Sequence, residues 1–173
     1  MKKHLLVGLP FLLTMSLTAQ QPAAPARPCA VNAVYRNFDF WIGDWEAFGP
    51  KGKAGESKIS LILDSCVLLE EWTSMQQGYA GKSFNTYNPQ TKMWQQTWVD
   101  NKGGITEYNS STWENNRMVL TTANKSQGEE KWLMQRMTFT RLSDDKVRQF
   151  GENSVDGGKT WTTSFDLEYR RRK

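Results

Sequence analysis

Turn signals recur at short, even intervals through most of this chain, and their spacing constrains the fold more than any other feature. Clusters of Gly, Pro, Asn, Asp and Ser mark nine turns after Trp45, among them Asn88-Pro89, Asn115-Asn116 and Asp156-Gly157-Gly158. The segments between them, such as 58–63 and 117–122, are rich in β-branched, aromatic and threonine residues. Nine turns therefore predict ten strands.

Links this short leave no room for crossover helices, so neighbouring strands should be antiparallel and follow one another as a meander. Ten strands must either close on themselves or leave sheet edges exposed. We therefore predict an all-β protein, a ten-stranded antiparallel up-and-down barrel. Barrels of about eight or more strands can enclose one small ligand.

The N-terminal residues 1–19 have the composition of a secretory signal peptide, with basic residues, an apolar run from Leu5 to Leu17 and small Ala19. We expect this segment to be removed and the protein to be periplasmic or secreted; a later cleavage near residues 24–26 is the alternative. The run is too short for a membrane helix and no second one follows, so no stable membrane insertion is expected.

The rest of the chain divides into a lead-in and one domain. Residues 20–29 are rich in Pro, Ala and Gln and predict a flexible lead-in, and residues 30–173 suit a single barrel domain. A short helical plug for one barrel end is predicted by apolar residues at three- and four-residue intervals, namely Val34, Tyr35, Phe38 and Trp41. Gly43 then permits a tight bend, and Trp45 is large enough to close the barrel floor.

Charge and histidine content exclude several classes of function. Removal of the signal leaves 20 basic and 18 acidic residues, a net charge of +2 that is too balanced to predict a nucleic-acid partner. The single histidine, His4, lies in the signal. A mature chain without histidine has no Ser-His-Asp or Cys-His nucleophile pair, no histidine-rich zinc site and no His-ligated haem, and we predict no cofactor.

The two cysteines, Cys29 and Cys66, are expected to pair in an oxidising compartment. The bridge would tie the lead-in to the start of a strand. A free catalytic thiol at Cys66 is the alternative, but it would need an activating base and no histidine can supply one.

The first strand and its approach resemble a known superfamily. Gly43-Asp44-Trp45, the nine turns and the basic residues of the last strand resemble the calycins: lipocalins, fatty-acid-binding proteins and nitrobindin-like barrels. The start Phe38 to Trp45, with segments 85–89 and 94–100, is similar to an uncharacterised group of exported bacterial calycin-like proteins. The second lipocalin motif, Thr-Asp-x-Tyr, and the haem-ligating histidine of nitrobindins have no counterpart here.

The resemblance also implies a contact, because in calycins the Gly-x-Trp tryptophan packs against an arginine of the last strand. Phe165, Leu167, Tyr169 and Arg171 share one strand face by their period of two, so Arg171 is expected to lie against Trp45. If it points inward, Arg171 could instead meet an anionic head group, and the alternative is that residues 170–173 form a solvated tail.

The hairpin around Asn88-Pro89 is the most suggestive candidate for a pocket wall. Ser83, Asn85 and Tyr87 share one face of its first strand, and the second strand presents Trp94, Gln96, Trp98 and Asp100 on one face. Pointing inward, these aromatic and hydrogen-bonding groups would suit an amphipathic ligand; facing outward, they would suit a partner or glycan. The candidate ligand-binding residues are Trp45, Ser83, Asn85, Tyr87, Trp94, Gln96, Trp98, Tyr169 and Arg171.

Two further patterns are interpreted as structural. Residues 154–161 match the Ser-x-Asp-x-Gly-x-Thr-Trp box of sialidase-like propellers, but a single copy in so short a chain indicates a capped turn. Adjacent Glu70 and Glu71 in a strand point to opposite faces, so they cannot act as a catalytic pair.

The sequence thus predicts a secreted protein that binds a small hydrophobic or amphipathic molecule inside a β-barrel, and a function other than catalysis is favoured. The alternatives are a filled barrel acting as an interaction or glycan-binding module, and a hydrolase that works without histidine.

Overall fold

The fold is a nearly closed antiparallel barrel, seen in a computed structural model that describes residues 27–125 and 132–173. Eleven strands are described. They are β1 (Gly43–Gly49), β2 (Gly52–Ile62), β3 (Val67–Ser74), β4 (Ala80–Asn88), β5 (Met93–Asp100), β6 (Ile105–Tyr108), β7 (Ser110–Glu114), β8 (Arg117–Lys125), β9 (Trp132–Ser143), β10 (Lys146–Ser154) and β11 (Thr162–Arg171).

All of the described strands belong to one sheet with the order β6-β5-β4-β3-β2-β1-β11-β10-β9-β8-β7, and every pair is antiparallel. The predicted up-and-down meander is therefore confirmed. The two strands at the ends of this order, β6 and β7, are consecutive in the chain, so the polypeptide itself joins the two edges.

The predicted number of ten strands is wrong by one, because the sixth predicted strand is interrupted at Asn109. Before Asn109 the chain pairs with β5, and after it the chain pairs with β8. The strand thus changes its pairing partner at this residue, where the two edges of the sheet meet. A hydrogen bond joins the two sides of this interruption: the backbone N–H of Trp94 on β5 donates to Ser111 Oγ on β7 at 2.7 Å.

The predicted helical plug is also present, as one α-helical turn (Pro28–Val31) followed by two 3₁₀ turns (Ala33–Arg36 and Asp39–Trp41). Pro28 and Cys29, the last described residues of the predicted lead-in, already belong to the first of these turns. The other calls for the N-terminus, the signal at 1–19 and residues 20–26, lie outside the described residues. Among the described helices, none is long and apolar enough to cross a membrane.

The plug closes the barrel end that carries the β2–β3, β4–β5, β7–β8 and β9–β10 turns. Phe38 and Trp41 are fully buried there and stack with ring centroids 5.2 Å apart, and both rings meet Phe139 of β9, at 4.9 and 4.5 Å. The Cys29–Cys66 disulfide fixes the start of the plug to the β2–β3 turn, which confirms the predicted pairing. The core is therefore concentrated at this end, and the opposite end lacks a comparable plug among the described residues.

Candidate functional site

A cavity of about 330 Å³ lies inside the barrel, on the side away from the plug. Its outer ring is half-buried and mostly aromatic, and consists of Trp72, Tyr79, Trp98, Thr106, Gln135, Phe165 and Leu167. Its floor is fully buried and more polar, and consists of Glu70, Gln96, Tyr108, Met137, Gln149 and Tyr169. The exposure of the ring and the burial of the floor show that the cavity opens at the end opposite the plug.

Glu70 is the buried acid of this floor, with only 3% of its surface exposed. Its Oε1 accepts a hydrogen bond from Ser57 Oγ at 3.0 Å, and its Oε2 accepts one from Ser83 Oγ at 2.8 Å. No described lysine or arginine lies within ion-pair distance of it. Burial therefore outweighs the lowering effect of the Ser83 and Ser57 hydrogen bonds and of the nearby Tyr169 hydroxyl, and raises the pKa of Glu70 to about 7.

Hydrogen bonds extend from Glu70 along the barrel wall. Ser83 Oγ also accepts from Asn85 Nδ2 at 3.0 Å, and Asn85 Oδ1 accepts from Gln96 Nε2 at 2.7 Å. Because Gln96 donates to the wall, its amide oxygen is the group that it can present to a ligand. This network fixes the orientation of the polar groups at the floor before any ligand binds.

On the other side of Glu70, Tyr169 connects it to β10. The Tyr169 hydroxyl donates to Gln149 Oε1 at 2.8 Å and also lies within hydrogen-bonding reach of Glu70. Burial and the neighbouring carboxyl hold the pKa of Tyr169 well above its usual range. The phenol therefore stays neutral and serves as a hydrogen-bonding group at physiological pH.

Glycines in the wall give the aromatic rings of the cavity their positions. A Cβ at Gly81 would overlap the indole of Trp98, one at Gly55 would overlap Trp72, and one at Gly151 would overlap the ring of Phe165. Each ring thus lies against a part of the wall that has no side chain. The rings therefore line the cavity and leave space inside it.

The hairpin face that was predicted to line a pocket does point into the barrel, since Ser83, Asn85, Trp94 and Gln96 are all buried. Its members do not all reach the cavity, however. Gln96 and Trp98 line it, as does Tyr169 of β11. Ser83 and Asn85 lie behind the floor, where they support Glu70 and Gln96. The ligand-binding role of these residues stays a prediction.

Tyr87 and Trp94 lie nearer the plug than the cavity. Tyr87 packs edge-on against Tyr35 with ring centroids 5.2 Å apart. Trp94 packs edge-on against Phe38 at 5.7 Å and donates its indole N–H to the carbonyl of Val34 at 3.3 Å. Both residues therefore hold the plug in the barrel and are not among the residues that line the cavity.

Trp45 and Arg171 form the contact that the calycin resemblance implied. They are cross-strand partners of β1 and β11, and the guanidinium carbon of Arg171 lies 4.2 Å from the centroid of the Trp45 ring. Arg171 also donates to the carbonyls of Ile42 at 3.0 Å and Asp144 at 3.1 Å. The packing prediction is confirmed, and neither residue is among those lining the cavity.

Gly43 is required for this contact. It has a φ of +139°, and a Cβ there would overlap the Arg171 guanidinium. The Gly-x-Trp step thus combines a backbone conformation suited to glycine with the space that the arginine needs.

Sequence reasoning missed most of the cavity wall. Glu70 was considered only as half of an unsuitable acid pair, although its separation from Glu71 onto the opposite face is confirmed by the exposed Glu71–Lys82 ion pair. The period of two on β3 places Trp72 on the same face as Glu70, and this signal could have identified both. Tyr108, Gln135 and Gln149 carried no local signal, because only the closed barrel places their strands around the same cavity as Glu70.

The motif at 154–161 forms a capped turn, as predicted. Asp156 Oδ1 accepts backbone N–H bonds from Lys159 at 3.0 Å and Thr160 at 2.9 Å, and Trp161 donates to the carbonyl of Gly158 at 3.0 Å. The hydroxyl and backbone N–H of Thr160, with the Ser154 hydroxyl and the Lys159 N–H, hold the pKa of Asp156 well below its usual range. All of these donors to Asp156 belong to the turn itself.

No family model matches this chain, and a comparison with curated proteins gives no match. Within the described wall, Glu70 is the single carboxylate that reaches the cavity, whereas hydrolysis of a glycosidic bond by the usual mechanism needs two.

Proposed function

We propose that this protein is an exported, calycin-like binding protein that holds a small amphipathic molecule inside its barrel. The observation that carries the proposal is the cavity, which is open at one end, ringed by aromatic side chains and floored by a pre-formed hydrogen-bonding network. An apolar body would lie against Trp72, Trp98 and Phe165, and a polar end would reach the floor.

The size of the cavity supports a small ligand. At about 330 Å³ it is near the lower end of the range of roughly 300–1,000 Å³ that is usual for small-molecule sites. The plug supports the same function, because it seals the far end and leaves one route of access. A long acyl chain would need a deeper lumen, but here the aromatic cluster of Phe38, Trp41 and Phe139 fills that half of the barrel.

The two alternatives receive less support. A filled barrel would use its interior only for packing, and the open space beside Glu70 argues against this. A hydrolase that lacks histidine would need a second acid facing Glu70, and the described cavity wall supplies none. We therefore favour binding over catalysis.

The experiment is a titration of the purified exported protein with N-phenyl-1-naphthylamine, an uncharged apolar fluorophore. We expect its emission to increase and to saturate with one molecule bound per protein. A Thr106→Trp variant should block the cavity and abolish this signal, because Thr106 lies on the ring of the cavity.

The matched control is Glu107→Trp, which adds the same indole to the next residue of β6, where the side chain is exposed outside the barrel. It should bind the fluorophore as the unmodified protein does. Absence of any saturable signal, or equal binding by both tryptophan variants, would overturn the proposed function.

A further inference from the structure

We propose that the ligand carries an ammonium group, and that this cation pairs with Glu70 among the aromatic rings of the cavity. This inference rests on the proposed function and specifies the chemistry of its ligand. It is carried by three properties of the described wall: its charge, its aromatic lining and the free acceptor sites of its acid.

The charge of the wall favours a cation. Of the described residues that line the cavity, Glu70 alone has an ionisable acid or base other than a phenol, and none is a lysine or arginine. Arg171, the arginine considered for an anionic head group, is held outside the cavity by Trp45 and two carbonyls. An anionic ligand would therefore find no positive charge in the described wall. A cationic ligand would find the Glu70 carboxylate, which has no cationic partner there.

The aromatic lining favours the same ligand. The Trp72 and Tyr169 rings have centroids 6.3 Å apart, and Tyr169 lies within hydrogen-bonding reach of Glu70. Trp98 and Tyr108 complete this part of the wall. The faces of such rings attract cations, more strongly where water is excluded, so the aromatic groups and the acid would act on one ammonium group together.

Glu70 also retains the acceptor capacity that the pairing needs. Each carboxylate oxygen accepts one serine hydrogen bond, from Ser57 or Ser83. A carboxylate oxygen can accept about two hydrogen bonds, and the nearby Tyr169 hydroxyl donates its one proton to Gln149, so one site on each oxygen remains for a ligand. A primary ammonium has three donors, and the amide oxygen of Gln96 is a further acceptor on the same floor.

The pairing should depend on pH in a defined direction. The groups facing Glu70 from the neighbouring strands are the hydroxyls of Ser57 and Ser83 and the phenol of Tyr169, and the other titratable groups of the described cavity wall are the phenols of Tyr79 and Tyr108. These phenols stay neutral between pH 5 and 8, since their pKa values are raised. Glu70, whose pKa is about 7, is the group that ionises in this interval.

The test uses three probes that share one apolar body: 3-phenylpropylammonium, 3-phenylpropan-1-ol and 3-phenylpropanoate. Calorimetric titration at pH 8 should show the ammonium binding at least tenfold more tightly than the alcohol, with the propanoate weakest. That preference corresponds to one hydrogen bond to a charged group. At pH 5, where Glu70 is protonated, the preference should fall by about tenfold while the alcohol binds as before.

Two variants of adjacent residues complete the design. Glu70→Gln keeps the shape of the side chain and should remove the preference for the ammonium at pH 8. Glu71→Gln makes the same change on the outer face and should retain it. If Glu70→Gln does not fold, the pH profile of the unmodified protein decides the question alone.

Failure of this inference can be separated from failure of the proposed function. If N-phenyl-1-naphthylamine binds saturably but the ammonium probe binds no more tightly than the alcohol at pH 8, the cationic ligand is ruled out and the proposed binding function stands. Loss of binding for the fluorophore and all three probes would overturn both.

Discussion

Glu70 is the residue at which stability and binding are most directly opposed. A buried carboxyl without a cationic partner is destabilising once it is ionised. Ser57, Ser83 and Tyr169 surround it with hydrogen-bonding groups but bring no positive charge. The ionised Glu70 carboxylate lowers the stability of the protein alone, and a ligand of opposite charge would pair with it.

The first prediction concerns the pH dependence of folding stability. Below pH 4.5 Glu70 is protonated in both states; between pH 4.5 and about 7 the unfolded chain releases its proton while the folded protein holds it. The folded state then binds more protons, so the free energy of unfolding falls as the pH rises and levels off above pH 7. We expect a loss of up to about 3 kcal/mol, measured by urea denaturation between pH 4 and 8.

Near pH 4 to 5, acids whose pKa values are lowered in the folded state, among them Glu56, Glu71 and Glu168, also titrate. Between about pH 5.5 and 7, Glu70→Gln should remove the slope and Glu71→Gln should leave it unchanged. The chain has one histidine, His4, so few other groups titrate there. A profile that keeps its slope in Glu70→Gln would contradict the assignment.

The second prediction concerns Arg171, the arginine that packs on the Trp45 ring. Arg171→Lys should lower the free energy of unfolding by about 1–2 kcal/mol, because an ammonium cannot both cover the Trp45 ring and reach the Ile42 and Asp144 carbonyls with a planar fork. Thermal and denaturant unfolding would measure the change.

The matched control is Arg172→Lys, next along the chain, where the side chain is exposed and pairs with Glu56. Its effect should stay within about 0.5 kcal/mol. An equal decrease in the free energy of unfolding in both variants would show that the stacking of Arg171 on Trp45 does not contribute to stability.

At the scale of strands, the cavity depends on where glycine stands in the sheet. Trp98 of β5 lies over Gly81 of β4, and Trp72 of β3 lies over Gly55 of β2. Both strand pairs thus use the same device: a glycine on one strand leaves space that the indole of the next strand occupies. The space inside the barrel is a result of strand register as much as of barrel size.

The third prediction tests this device. Gly81→Ala should push the Trp98 ring toward the lumen, lower the free energy of unfolding by about 1–3 kcal/mol and weaken fluorophore binding. Gly49→Ala is the control, because its Cβ would meet Leu167 at an ordinary contact distance of 3.4 Å. If Gly81→Ala bound the fluorophore as tightly as the control does, the position of the indole would not define the cavity.

At the scale of the whole molecule, the plug and barrel are held together by packing and by one covalent bond. The Cys29–Cys66 bridge closes a loop with a sequence separation of 37 residues. Phe38 and Trp41 of the plug, buried at the closed end of the barrel, provide the noncovalent part of the same attachment.

The fourth prediction is that reduction of this disulfide lowers the free energy of unfolding by up to about 4 kcal/mol, through the greater conformational freedom of the unfolded chain. Denaturation with and without a phosphine reductant would measure it. The Cys29→Ser/Cys66→Ser double variant should have the same free energy of unfolding as the reduced protein, and adding the reductant should not change it. A reductant effect in that variant would contradict the explanation.

Local patterns were sufficient for the features that depend on neighbours in sequence. Turn residues predicted the antiparallel meander, the period of two grouped Ser83 with Asn85 on one strand face, and the Gly43-Asp44-Trp45 step marked the start of the first strand. The interruption at Asn109 was not predicted, because it lies where the two ends of the sheet order meet, and they meet only once the whole barrel has closed.

The sequence by itself determined the antiparallel strand order, from the spacing of the turns, and the disulfide partners, because the chain has two cysteines. It also determined which residues of the pocket hairpin share a face, and the structure decided that this face points inward. Tertiary structure decided which inward residues face open space and which face the plug: Trp98 lines the cavity, while Trp94, on the same strand face, supports Phe38. It also decided the state of Glu70, because a carboxyl's pKa depends on how much water and charge the folded barrel leaves around it.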